Sequence, residues 1–149
     1  MPVSVMSRRR GSGVRAADVR ADALRLLATL GEARAELTVS LVGDAEIHRL
    51  NRDHRHKDRP TDVLAFAMRE GRRVAGDDHI LGDVVISVDT ASRQARRRCV
   101  SAAQEVRILL VHGVLHLLGY DHERSPAEAR RMKAMERRLR RRLHVARGQ

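Results

Sequence analysis

Apolar residues recur along this chain with two different periods, and the switch between them outlines the elements. From Ala16 to Leu30, Val19, Ala23, Leu24, Leu27 and Leu30 fall at helical spacing, and Gly31 supplies a stop. Glu36 to Val42 (ELTVSLV) alternates Leu37, Val39 and Leu41 with polar neighbours, as a half-buried strand does. Asp44 is placed to cap a short helix running through Leu50. Asn51 to Asp62 (NRDHRHKDRPTD) is polar, charged and interrupted by Pro60, which predicts an unusually basic loop. Val63 to Met68 and Ile80 to Val88 read as strands, and Arg69 to Asp78, with Gly71 and Gly76, as a turn or hairpin connection.

The second half is helical. Asp89 can cap a helix through Arg98, and Ser101 with Gln104 forms a capping box ahead of an apolar helix that ends near Leu118. Gly119 stands where a left-handed stop is expected. Ser125, Pro126 and Glu128 open a last helix that buries Met132, Met135 and Leu139. Its other side, with Arg130, Arg131, Arg137, Arg138 and Arg140 to Arg142, is solvated or faces a polyanion. The order predicts an α+β fold: a small mixed β-sheet of about three to four strands packed by about five helices.

Length and composition narrow the class. The 149 residues, 42% of them hydrophobic, suffice for one sizeable core, so residues 16–149 are expected to form a single α+β domain behind a flexible N-terminal arm of residues 1–15. That arm has no apolar stretch of the kind a signal peptide needs; being basic, it could serve instead as an organellar transit segment. The longest apolar run, Ile108 to Leu118, is broken by His112 and His116, so no membrane span is expected. Cys99 is alone, which excludes an intrachain disulfide and a Cys-rich zinc site and suits a reducing, cytoplasmic setting. The net charge is +11, and of the 30 basic side chains only Lys57 and Lys133 are lysine. Arginine's planar fork suits bidentate phosphate contacts, so a polyanionic partner is expected. With Tyr120 and Phe66 as the only aromatic residues, a base-stacking platform is not.

The chemistry concentrates in His112-Gly-Val-Leu-His116-Leu-Leu-Gly119-Tyr-Asp-His122. Residues four apart on a helix share a face, so His112 and His116 project together at the end of the central helix. Gly119 permits a turn that can return His122 to the same point. Three neutral imidazoles there make a catalytic-type zinc site with a fourth position for water, although nickel or copper would also be accepted. The competing reading is a pair of satisfied core histidines, and the repeated spacing with a turn glycine argues against it. One class of zinc peptidases shares the histidine spacing but carries a general-base glutamate where this chain has Gly113. Amide cleavage needs that carboxylate, whereas a metal and cations alone can neutralise the charge developing on a phosphodiester.

The same segment, HGVLHLLGYDH, resembles the signature of the YbeY family of endoribonucleases, which act in ribosomal RNA maturation. The likeness extends to Arg55–Phe66 (RHKDRPTDVLAF) and Leu81–Ser87 (LGDVVIS), and covers most of residues 36–143. The resemblance implies one zinc ion held by His112, His116 and His122, and Arg55 as the catalytic cation that grips the phosphate beside a zinc-bound water. Arg52, Lys57 and Arg59 are candidate RNA contacts in the same basic stretch, and Asp121 is a candidate to orient a ligand from behind. His54 and His56 could assist as acid or base but read first as exposed loop residues, and Asp83 reads as structural. The resemblance further implies a single-strand-specific, zinc-dependent nuclease in 16S-type ribosomal RNA processing and ribosome quality control. Expected partners are small-subunit ribosomal proteins and a ribosome-assembly GTPase. The chain departs from the family pattern at His56, where glycine is usual, at Ala65, where serine is common, and at Val114, where a small hydroxyl residue is often found. Whether a water or the RNA's own 2′-hydroxyl attacks stays open. So do two other readings: an RNA-binding assembly factor with a structural zinc, and a zinc peptidase-like hydrolase.

Overall fold

In the computed structural model, which describes residues 3–68, 79–120 and 123–143, the strands form one sheet. Its strands are β1 (Val3–Ser7), β2 (Glu36–Val42), β3 (Val63–Ala67) and β4 (Ile80–Ser87), in the spatial order β1-β2-β4-β3. β1, β2 and β4 run parallel, and β3 pairs antiparallel with β4 at the sheet edge. Five helices complete the fold: α1 (Ala16–Thr29), α2 (Asp44–Arg55), α3 (Val88–Arg98), α4 (Ala102–Leu117) and α5 (Pro126–Arg142). The mixed sheet and the five helices match the expected α+β class.

Alternation along the strands sorts the helices onto the two faces. Val84 and Ile86 point into the main core, which α1, α3, α4 and α5 cover, while Leu64 and Val85 meet Ile47 of α2 in a smaller cluster on the opposite face. The apolar helix α4 lies against β3 and β4 with ten of its residues buried, including Leu110, Val111, Val114 and Leu115. Met132 and Leu139 seat α5 on the same core, with Met135 partly buried beside them. Ser101 and Ser125 cap α4 and α5 as expected, accepting from the backbone N–H of Gln104 and Glu128 at 3.1 Å each.

Several expectations are corrected. Residues 3–7 are not part of a flexible arm: β1 pairs in parallel with β2, and Val3 is 1% exposed. The alternation VSVMS is too short to stand out in the sequence, and only the edge of β2 turns it into a strand. α2 runs to Arg55, so the basic loop begins at His56 rather than at Asn51. Gly43, not Asp44, is the N-cap of α2, and Ser87, not Asp89, caps α3 by accepting from Thr90 N–H at 3.2 Å. The two aspartates serve longer-range contacts. Asp44 accepts from the Ser87 and Thr90 hydroxyls at 2.7 Å each and from Arg93 at 2.8 Å, and Asp89 accepts from Arg9 and from the Asp44 N–H at 3.0 Å each. The connection expected over 69–78 lies outside the described residues.

Candidate active site

One turn of α4 separates His112 from His116, and their rings meet at a centroid distance of 4.7 Å and an interplanar angle of 63°. Their Nε2 atoms are 3.1 Å apart. Two imidazole nitrogens bound at the usual zinc distance and a tetrahedral angle would be about 3.3 Å apart, so this pair fits one small ion with little movement. α4 ends at Leu117, and Gly119 follows at φ +94° as the expected left-handed stop. His122, the third expected ligand, and Asp121 lie outside the described residues. Among the described residues no group of three His, Cys, Asp or Glu side chains gathers around a common point, so two of the three expected ligands are placed.

Behind His112 stands a residue that the sequence reading missed. Glu136 of α5 has Oε1 3.3 Å from His112 Nδ1 and pairs through its other oxygen with Arg140 at 3.6 Å. A carboxylate on Nδ1 takes that nitrogen's proton as a hydrogen bond and leaves the Nε2 lone pair for a metal. This is the orienting role expected of Asp121. The signal was available in principle, because Glu136 is the one acid between Ala129 and Leu143 in a run dominated by arginine.

Arg55 stands at the last position of α2, and its Nη2 donates to the carbonyl of Ala65 on the outer edge of β3. Its guanidinium lies over the Phe66 ring, 5.1 Å from the centroid, while the His54 ring meets Phe66 edge-on at 5.5 Å. Cation–π contact and a carbonyl acceptor together hold the guanidinium at one end of a cavity of about 530 Å³. His112 and His116 line the same cavity, as do Lys57 and Arg59, with Asp62 and Glu123 as its acids. Arg52 is not among the lining residues; it is exposed and pairs with Asp53 at 3.1 Å. Asp83 is exposed on β4 and is likewise absent from the lining.

The loop that carries Lys57 and Arg59 is held from below by Asn51, which is 3% exposed. Its Nδ2 donates to the Arg59 carbonyl at 2.8 Å, and its own carbonyl accepts from Lys57 N–H at 3.2 Å. His56 is the C-cap of α2 at φ +58°, a left-handed conformation that glycine adopts more cheaply, which accounts for the glycine usual at this position. Ala65 lines the cavity, so the hydroxyl it lacks falls within the cleft, whereas Val114 is fully buried in the core and takes nothing from it.

Gly113 leaves no place for the general-base glutamate that the zinc peptidases carry at this position. A Cβ on it would lie 2.7 Å from Val84 Cγ1, so α4 rests on the sheet at this point with no room for a glutamate side chain. Gly82, in the LGDVVIS block, is equally constrained: at φ +145° its Cβ would meet the Phe66 carbonyl at 2.3 Å. Its close approach keeps β3 seated under Arg55.

The chain is similar to several known proteins. The family described as Endoribonuclease YbeY matches residues 12–144. A Geobacter metallireducens protein named Endoribonuclease YbeY is 48% identical over 140 residues, covering 93% of each chain. One of the same name from Aquifex aeolicus is 50% identical over 110 residues, covering 74% of this chain and 71% of its own. The solution structure of the Thermotoga maritima protein TM1509 superimposes with a TM-score of 0.64 at 25% identity, covering 95% of this chain and 88% of that one.

Proposed function

Because the chain belongs to the YbeY endoribonuclease family, we propose that the cleft between α4 and the loop after α2 binds single-stranded RNA and cleaves a phosphodiester with the help of one zinc ion. The observation that carries this reading is the pair of imidazole Nε2 atoms 3.1 Å apart on the wall of a cavity lined by Arg55, Lys57 and Arg59. His112, His116 and His122 would hold the ion. When bound, zinc supplies a strong positive centre and lowers the pKa of a coordinated water to about 7. Glu136 keeps the His112 proton on Nδ1, and Arg55 faces the phosphate as a fixed cation that gains interaction as charge develops there. Asn51 holds the loop carbonyl and N–H that position Lys57 and Arg59 around the strand. Among the described residues no glutamate occupies the position of a peptidase base, and Gly113 leaves no space for one.

In this reading the substrate is ribosomal RNA of the 16S type, the role extends to ribosome quality control, and the setting is cytoplasmic. Small-subunit proteins and an assembly GTPase are its partners, as the family resemblance implies. Charge supports the RNA assignment, since +11 on 149 residues favours a polyanion. Among the described residues no helix is long and apolar enough to cross a membrane.

The deciding experiment measures zinc content and RNA cleavage on the natively purified protein beside Arg55→Ala and His112→Ala. Arg55→Ala should keep its zinc and its melting temperature while losing about 10²–10³-fold in cleavage rate. His112→Ala should lose both zinc and cleavage. Full cleavage by Arg55→Ala would remove the phosphate-gripping role. Undiminished RNA binding by a wild-type protein that never cleaves would favour a binding module with structural zinc. A 2′,3′-cyclic phosphate on the product would assign the attack to the 2′-hydroxyl, and a simple 5′-phosphate to water.

A further inference from the structure

The outward face of α5 presents a row of cations that the cleft does not use. Arg130, Lys133, Arg137 and Arg141 are all exposed, and none has an ion-pair partner among the described residues. At 3.6 residues per turn they occupy an arc of about 80° and a length of about 16 Å along the helix. The two acids of α5 stand elsewhere: Glu128 faces Arg124 and Arg131, and Glu136 faces His112 and Arg140.

Such a row opposes the helix that carries it. Lys133 and Arg137, and Arg137 and Arg141, are like charges four residues apart, and Arg130 and Lys133 are three apart; each pair repels. The helix dipole favours cations only in the last turn, which accounts for Arg140 to Arg142 but not for Arg130, Lys133 or Arg137. A bound polyanion would relieve the repulsion along the whole row. Position adds to this. The middle of the row lies about 100° around α5 from Glu136, the residue that touches His112, so one helix carries both the row and the carboxylate set against the histidine pair. Arg131, Arg138 and Arg142 occupy the opposite flank.

From these observations we infer that the Arg130–Lys133–Arg137–Arg141 row is a rail for the phosphate backbone of an RNA strand leaving the cleft. This rests on the proposed RNA-cleaving function. The rail contributes affinity through counterion release and does not take part in bond cleavage. With two aromatic side chains in the whole chain, ionic contacts of this kind must carry most of the RNA affinity.

The test replaces all four residues by glutamine and measures RNA binding by fluorescence anisotropy as salt is varied, using single-stranded RNA of about 30 nucleotides. At about 0.7 per phosphate contact, the slope of log K against log salt should fall by about 3, and between 50 and 200 mM salt the wild type should lose about 50-fold more affinity than the variant. Cleavage of a dinucleotide, whose single phosphodiester occupies the cleft and leaves no phosphate for the row, should be unchanged. The pairs Arg130→Gln/Lys133→Gln and Arg137→Gln/Arg141→Gln should each give about half the effect, and they serve if the quadruple variant folds poorly. A slope equal to wild type overturns the rail. So does an equal fall in a control with Arg131, Arg138 and Arg142 changed to glutamine, since that would reflect net charge alone. Absence of cleavage in the wild type would sink the nuclease reading while leaving the binding measurement intact, so the two failures are distinguishable.

Discussion

Glu136 illustrates how much a single buried-side contact can control. Its carboxylate stands where it would hold the His112 proton on Nδ1, and partners of this kind typically change metal affinity by about 10–100-fold when lost. Glu136→Gln should therefore weaken the proposed zinc binding by about that factor in a chelator competition, while the melting temperature of the metal-free protein stays within a degree or two. A parallel drop in metal-free stability with unchanged zinc affinity would make Glu136 merely structural. Glu105 is a different case. It is fully buried on α4, and neither oxygen has a hydrogen-bond partner among the described residues. Burial pushes its carboxyl above the ordinary glutamate value, and nearby Asp62 adds to this against the opposing pull of Arg98 and Arg140. The folded state then holds a proton that the unfolded chain releases, so stability falls as pH rises from the ordinary glutamate value through the raised one. Glu105→Gln should melt higher than wild type at neutral pH, and the difference should vanish below the ordinary glutamate pKa. Equal melting temperatures across that range would refute it.

At the scale of elements, the C-terminus of α2 is where helix geometry meets the cleft. Arg55 occupies the last helical position, and the chain must then bend sharply for Lys57 to bond back to the Asn51 carbonyl. That bend places His56 at φ +58°, which costs a non-glycine residue about 1 kcal/mol. His56→Gly should therefore raise the melting temperature by a few degrees with zinc content unchanged, and a lower melting temperature would show that the imidazole makes a compensating contact. α4 shows the opposite economy. Its packing on β4 at Gly113 brings His112 and His116 down to the level of Ala65 and Arg55, and that closeness makes one cavity of them. Asp44 joins three elements. Burial alone would raise its carboxyl, but bonds from Ser87, Thr90 and Arg93 outweigh burial and hold it below the usual value. Its contribution is present at neutral pH and is lost as pH falls through the depressed value.

The whole molecule depends on its first strand more than its composition implies. β1 covers the outer edge of β2, Val3 enters the core, and the segment that follows sends Arg9 to Asp89 at the top of α3. Deleting residues 1–8 should lower stability by at least about 2 kcal/mol from Val3 alone and lower the urea midpoint accordingly. An unchanged midpoint would restore the flexible-arm expectation. The histidine pair, the helix caps at Ser101 and Ser125 and the β2 alternation were legible in the sequence, because each is a pattern of a few neighbouring residues whose meaning is local. The same holds for the left-handed stop at Gly119. What sequence could not decide was every contact between residues far apart in the chain. Arg55 faces His112 and His116 only because β3 and α4 meet, Glu136 reaches His112 only because α5 folds back over α4, and Val3 is buried only because β2 offers it an edge. Periodicity specifies which face of an element is apolar, but it carries no information about which apolar face will cover it. That choice belongs to packing, and packing set the site.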